Sequence, residues 1–262
     1  MITTLRIATK DPYCYIEPVF ESETADEAYT EYLRLTALVK DNAVWQKKDT
    51  FTGETILYDE LGHNYKTLDG QKLYGGSSYK KLVEKNPFNA ERQAPITAAK
   101  LGVDRKLIEE IWESNRDASS HFGTSLHKAM EHYFKYRNSG TNYCYMKNPF
   151  LKGMIESFKY RDVAFALPEV FVSDIAKLRV GQIDLLVEEE KDEPFIVVDY
   201  KTDADIQKSL KNHFNQMSYY ATQLIDKGFP VKKLLVANYT TEWSYYESDV
   251  LPLINKELPA PL

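Results

Sequence analysis

Apolar positions recur with two different periods along this chain, and the switches between them mark its elements. In residues 24–40, TADEAYTEYLRLTALVK, Ala25, Ala28, Tyr32 and Leu35 fall at helical spacing behind Thr24, a residue suited to capping, so a helix is expected there. From 49 to 75 the pattern breaks into short runs punctuated by Thr-Gly and Asp-Gly, which predicts hairpins. Ser77 and Ser78 precede YKKLVEK, a short helical stretch closed by Pro87, and a further helix is expected over 104–116. In SSHFGTSLHKAMEHYFKYRN, Phe122, Leu126, Met130 and Tyr133 make an apolar stripe, while His127 and Glu131 lie four apart on another face.

After a helix near 148–160 the period shortens to two. VAFALPEVFVSD, LRVGQIDLLVEE and PFIVVDYKT predict three successive strands, the last two joined by the charged turn EEEKDE. Residues 207–227 return to helical spacing through Leu210, Phe214, Met217, Ala221 and Leu224. KKLLVANYT at 232–240 predicts another strand, and WSYYE offers a final one. The order from 119 onward is helix, helix, three strands, helix, strand. That is an α/β chain of the α+β kind, with residues 1–75 as an N-terminal extension of helix and hairpin and 76–262 as the main domain.

Composition narrows the class without naming a function. Hydrophobic residues at 43% and charged residues at 27% are ordinary for a globular protein, and no internal repeat or low-complexity tract is present. No apolar run approaches the roughly 18 to 20 residues of a membrane span, and MITTLRIATKDPYC lacks the apolar stretch of a signal peptide. A cytoplasmic protein without a membrane partner is therefore expected. The cysteines, Cys14 and Cys144, support neither a disulfide framework nor a thiolate metal site, so any metal must be held by oxygen and imidazole. A net charge of -6 argues against a protein that coats nucleic acid, but not against an enzyme that gathers carboxylates around a cation and holds DNA in a local basic groove. The 19 Tyr, 12 Phe and 3 Trp serve core packing first and base stacking second.

The chemistry concentrates in the predicted strands. Neighbours two apart on a strand share a face, so in IVVDYKT Asp199 and Lys201 point together and Tyr200 points away. Asp184, in GQIDLLV, lies on the preceding strand, and a hairpin through the charged turn can lay the two aspartates side by side. Paired carboxylates in a low-dielectric setting call for a cation, and oxygen ligands suit Mg²⁺ or Mn²⁺, with the Tyr200 main-chain carbonyl able to complete the shell. Such a cation lowers the pKa of water and neutralises charge on a phosphate under attack. Lys201 would either orient or deprotonate that water or stabilise the transition state, and the sequence leaves both open. The plainer alternative is an Asp199–Lys201 salt bridge at a strand end with Asp184 in a turn.

GQID at 181–184, DYK at 199–201 and QMSYY at 216–220 stand in the order and approximate spacing of RecB-type nucleases, and the chain resembles this branch of the PD-(D/E)xK superfamily. GTSLH at 123–127 is similar to the family helix that carries a metal-ligating histidine. The resemblance spans roughly residues 75–245 and implies a restriction-endonuclease-like core, a central mixed sheet in αβββαβ order flanked by helices. It implies His127, Asp184, Asp199 and the Tyr200 carbonyl as metal ligands, Lys201 as the catalytic lysine, and Gln216 with Tyr220 as supports or DNA contacts. Glu169 resembles a further acidic position of the superfamily that binds a second metal; its plainer reading is an exposed glutamate after Pro168. Glu131 would orient the imidazole or simply be solvated.

Some RecB-type relatives hold an iron–sulfur cluster on four cysteines, which this chain lacks, so it resembles the cluster-free exonucleases of the phage and mitochondrial-genome-maintenance type. No Walker A sequence is present either, so a helicase or ATPase, or another replication or recombination partner, would be a separate chain. The resemblance implies a Mg²⁺- or Mn²⁺-dependent DNA exonuclease acting on single strands or free ends in replication, recombination or repair, in the host cytoplasm if phage-encoded. The alternatives are an endonuclease of the same fold and a nucleic-acid-binding module without turnover. The N-terminal helix, the 49–75 hairpins and residues 79–116, with Lys80, Lys81, Lys85, Arg92, Lys100, Arg105 and Lys106, are candidates for a gate that follows a phosphate backbone.

Overall fold

The computed structural model describes residues 44–59, 64–84, 88–137 and 149–253, together with four two-residue strands before them. Of these four, β1 (Thr3–Thr4) pairs with β4 (Glu21–Ser22) and β2 (Ile7–Ala8) with β3 (Tyr15–Ile16). The helix expected over 24–40 lies outside the described residues.

The Thr-Gly and Asp-Gly punctuation resolves into an antiparallel sheet of β5 (Val44–Lys48), β6 (Thr55–Asp59), β7 (Asn64–Lys66) and β8 (Lys72–Leu73), each strand beside the next. Its first turn forms because the Asp49 carboxylate accepts the Phe51 and Thr52 amides, both at 2.9 Å, and Gly53 supplies the left-handed backbone at φ 72°.

Helices α1 (Gly76–Val83) and α2 (Ala90–Leu101) follow, then α3 (Arg105–Tyr136), with Asn89 capping α2 through the Arg92 amide and Asp104 capping α3 through the Lys106 amide. The two helical patterns expected on either side of residue 117 form one helix of 32 residues. No proline interrupts it, and Ala118, Ser119 and Ser120 are polar or small but compatible with helix. Helix α4 (Pro149–Glu156) leads into the main sheet.

That sheet has five strands in the order β13-β12-β11-β10-β9. They are β9 (Phe165–Asp174), β10 (Arg179–Glu188), β11 (Phe195–Lys201), β12 (Val231–Tyr239) and β13 (Trp243–Ser248). All neighbours are antiparallel except β11 and β12, which run parallel because helix α5 (Ile206–Asp226) carries the chain across between them. The fold is mixed α/β.

Strand β11 shows how both faces are covered. Phe195 and Val197 join one core with Phe214, Met217, Ala221 and Leu224 of α5; Ile196, Val198 and Tyr200 join another with Leu126, Met130 and Phe134 of α3 and Met154 and Ile155 of α4. A strand buried on both faces reads as an uninterrupted apolar run, and here that run ends in a charged motif.

The hairpin sheet shares a third core with β9 and β10, built from Ile56, Leu73, Phe171 and Val180. Tyr74 extends β10 as a parallel bridge at Arg179, donating its amide to Leu178 O at 2.8 Å and accepting from Val180 N at 3.0 Å. The fully buried Asp49 carboxylate reaches across as well, accepting the Ser173 amide at 2.6 Å and facing Lys227 Nζ at 3.1 Å. Residues on either side of position 75 therefore pack as one body of contacts. Among the described residues no helix is long and apolar enough to cross a membrane.

Candidate metal centre

The site begins with an interruption in the β9–β10 ladder. Pairing runs from Asp174–Arg179 to Phe165–Glu188 in a constant register, yet skips the step where Glu169 faces Asp184. Pro168, just before, has no amide to donate, and Glu169 takes a left-handed φ of 54°, a conformation a glutamate adopts only when its surroundings impose it. The apolar alternation slips here on both strands: Leu167 and Val170, and Ile183 and Leu186, three apart in each case, end in the same core. Two carboxylates thereby come onto one patch of sheet.

Helix α3 brings His127 to them. Gly123, one turn earlier, lies beside the end of β11, where a methyl group would make an ordinary contact of 3.5 Å with the Thr202 hydroxyl. His127 Nδ1 lies 3.5 Å from Asp184 Oδ1, and Nε2 lies 3.1 Å from the Tyr200 carbonyl. A carbonyl can only accept, so Nε2 carries a proton and Nδ1 is the nitrogen turned toward the carboxylates. One ligand atom from each of His127, Glu169 and Asp184 lies within 4.8 Å of the other two. Donors on opposite sides of a Mg²⁺-sized ion stand about 4.2 Å apart, so one nitrogen and two carboxylate oxygens at this spacing fit a small divalent cation with little rearrangement.

Their electrostatics fit the same conclusion. Burial pushes the Glu169 carboxyl up to about 7, with Asp184 and Glu131 adding to the effect. For His127 burial acts downward, but the Asp184 carboxylate outweighs it and the imidazole is pushed up to about 9. Asp184 is drawn the other way: burial would raise it, yet His127, Lys201 and the Tyr200 amide, donating to Oδ2 at 2.8 Å, hold it well below the usual carboxylate range.

The third strand contributes Asp199 and Lys201. They share a face as their spacing requires, and Lys201 Nζ sits 2.6 Å from Asp199 Oδ2. Lys201 Nζ also donates to the Tyr200 carbonyl at 2.9 Å. Burial opposes its charge, but Asp199 and Asp184 raise its pKa above that of an ordinary lysine. Two expected ligands are thus engaged elsewhere. Asp199 faces Lys201 rather than joining the three-residue cluster, and the Tyr200 carbonyl takes donors from both His127 and Lys201, which uses its two lone pairs.

Gln216 and Tyr220 act on the framework. Gln216 donates to the Tyr220 hydroxyl at 2.7 Å, and the buried Tyr220 ring is held between Gly76 and Gly181. A methyl group at either glycine would lie 2.3 Å from it. The glycine of GQID is thus where α5 presses its tyrosine against β10. Burial pushes the Tyr220 hydroxyl pKa upward, so the group stays neutral.

Glu131 differs from expectation. It is buried, not solvated, and its carboxylate is held by Lys128 at 2.8 Å and Lys135 at 2.6 Å, while the imidazole of His127 takes its contacts from Asp184 and Tyr200. Of the basic residues expected along a gate, Lys85 lies outside the described residues, and Arg105 and Lys106 face Glu109 and Glu110 of their own helix at 2.7 and 3.6 Å.

Several residues carried no signal of their own. Asn238 on β12 accepts the Asp203 amide at 2.9 Å and donates to the Asp203 carbonyl at 3.0 Å, while the Asp203 carboxylate meets His213 at 3.1 Å and Ser209 at 2.8 Å. His213 first, then Ser209 and the charge of Lys201, hold the Asp203 carboxyl at about 2 against its burial, and the Asn238 bonds pin the turn that leaves Lys201. Gln182, which the sequence supplied only as a letter of GQID, donates to Glu169 Oε2 and accepts from Lys47 Nζ at 2.6 Å.

Comparison with protein-family models gives no match, and comparison with the curated proteins gives none. Among solved structures the chain is similar to one titled "Crystal structure of SSO0001", at 14% identity over 86% of this chain and 80% of that chain, with a TM-score of 0.37. A likeness that low carries no weight for fold or function.

Proposed function

We propose that this chain is a divalent-cation-dependent deoxyribonuclease of the PD-(D/E)xK type, on a restriction-endonuclease-like core, acting on single-stranded or end-containing DNA. The observation that carries the proposal is the cluster of His127, Glu169 and Asp184 within 4.8 Å, with Lys201 on the adjoining strand. Support for the core comes from the succession of helix, three strands, helix and strand around a mixed sheet. DNA, and its exonucleolytic digestion in replication, recombination or repair, come from the resemblance of GQID, DYK and QMSYY to RecB-type nucleases.

His127 Nδ1, Glu169 and Asp184 would hold the Mg²⁺ or Mn²⁺, and Asp199 would join them when Lys201 releases it. A bound cation supplies acidified water and neutralisation of charge on a phosphate. The residues do the rest. The Tyr200 carbonyl fixes the imidazole tautomer, and the Tyr200 amide fixes Asp184. Lys201, held as an ammonium between Asp199 and the Tyr200 carbonyl, orients the attacking water and stabilises negative charge building on the phosphate oxygens. The water oxygen forms a new bond to phosphorus, the bridging P–O ester bond breaks, and a water proton ends on the departing oxygen.

The test is hydrolysis of linear and covalently closed DNA by the wild type and Lys201→Ala, with Mg²⁺ and with chelator. Wild-type activity that needs Mg²⁺, needs an end and is lost in Lys201→Ala is the expected result. Equal activity of the two proteins would refute the site, and equal cutting of closed DNA would refute the exonuclease.

A further inference from the structure

The Glu169 carboxylate sits on the step where β9–β10 pairing is interrupted and the backbone turns left-handed, so a regular strand geometry does not set its direction. Its hydrogen-bond partner is Gln182 on β10, whose amide nitrogen donates to Glu169 Oε2. The other end of that amide receives Lys47 Nζ at 2.6 Å, from a strand far away in sequence. An ammonium can only donate, so it fixes the Gln182 oxygen toward itself and the NH₂ group toward Glu169.

We propose that Lys47, delivered by the first hairpin, is a positioning residue of the metal centre, which through Gln182 fixes the orientation of the Glu169 carboxylate. The inference rests on the reading of His127, Glu169 and Asp184 as a cation site. An amide spacer suits that task better than a direct ion pair. A lysine placed on Glu169 itself would compete with the cation for the carboxylate oxygens. Acting through Gln182, its charge polarises the amide and strengthens one bond to Oε2, so that Oε1 would be left for a cation.

Lys47 is itself held in place. Its Nζ stands 4.6 Å from the Tyr58 ring centroid and 5.6 Å from that of Phe171. Tyr58 stacks on Tyr65 at 4.7 Å, and Tyr65 meets Phe171 at 6.1 Å, so the rings form a continuous wall from hairpin to β9. Two residues after Lys47, Asp49 ties the same strand end to Ser173 and Lys227. The hairpin sheet thus acts as an arm of the site.

The experiment is Mn²⁺ binding to the full chain without DNA, by isothermal titration calorimetry, for the wild type, Lys47→Met, Lys47→Arg, Gln182→Leu, Glu169→Gln and the Lys47→Met/Gln182→Leu double variant. Loss of a partner behind a metal ligand typically weakens affinity about ten- to a hundred-fold, and Lys47→Met and Gln182→Leu are each expected at the lower end of that range. The double variant binds no more weakly than the weaker single one, because both break one path, whereas a merely structural role for Lys47 would add a second loss. Lys47→Arg, which keeps the donor, retains most of the affinity. Wild-type affinity in Lys47→Met together with a loss in Glu169→Gln would overturn the positioning role and leave the cation site standing. No Mn²⁺ binding by the wild type would overturn both. Should Lys47→Met fail to fold, Gln182→Leu alone decides: unchanged affinity there overturns the proposal.

Discussion

Asp199 and Lys201 are joined by a 2.6 Å contact on one face of β11, so the lysine's charge is balanced by a carboxylate of its own motif. A cation drawing on Asp199 must compete with that ammonium. Lys201→Met is therefore expected to bind Mn²⁺ at least as tightly as the wild type while its DNA hydrolysis falls by about a hundred-fold or more. Asp184→Asn should lose both. Titration calorimetry beside a nuclease assay separates the two effects, and weaker Mn²⁺ binding in Lys201→Met would contradict the arrangement.

The metal-free protein should lose stability as pH rises from about 5 to about 9. Glu169 has a folded pKa of about 7, above its ordinary 4.5, and His127 about 9, above its ordinary 6.5. Both are raised, so the folded state holds protons that the unfolded chain releases. Their stabilisation is complete below the unfolded values and lost as pH climbs through the folded ones. In chelator, Tm should fall across this window, and Glu169→Gln should flatten the lower half of the decline. Because a cation displaces those protons, the Tm increment on adding Mn²⁺ should grow with pH. A Tm that rises with pH in chelator would be the opposite result.

Gly181→Ala places a methyl group 2.3 Å from the Tyr220 ring, and the ring has Gly76 behind it. Overpacking of this kind is expected to cost about 1–3 kcal/mol in urea unfolding. Adding Tyr220→Leu should recover part of that loss, since the two substitutions act on one contact. Full additivity would mean that the ring is not what Gly181 accommodates.

Asp49→Ala strips an acceptor from the Phe51, Thr52 and Ser173 amides and leaves Lys227 without its counter-charge. Losing one partner of a buried pair typically costs about 3–5 kcal/mol. Lys227→Met should cost less, because Asp49 keeps its three amide donors, and the ranking of the two denaturation midpoints checks it.

Periodicity located the strands of the main sheet and the α5 helix, because apolar spacing is a direct record of which face each element buries, while Thr-Gly and Asp-Gly pairs located the hairpins. The same logic put Asp199 and Lys201 on one side of β11, a local relation that a two-residue repeat determines without help. It failed where continuity depends on what is absent: residues 105–136 carry two apolar patterns, and they join because no proline or turn sequence parts them.

The tertiary structure decided which of the singled-out residues meet. His127 lies on a helix and Asp184 and Glu169 on two strands, and their approach depends on how α3 packs against the sheet and on the pairing step skipped at Glu169. Packing likewise turned Asp199 and the Tyr200 carbonyl toward Lys201, and Glu131 toward Lys128 and Lys135, because each buried charge or lone pair takes the nearest partner in space. Lys47 had no mark in the sequence at all. A lysine on a hairpin looks like any solvated charge until the sheet that carries it docks beside Gln182, since sequence records the period of an element and not the element it will lie against.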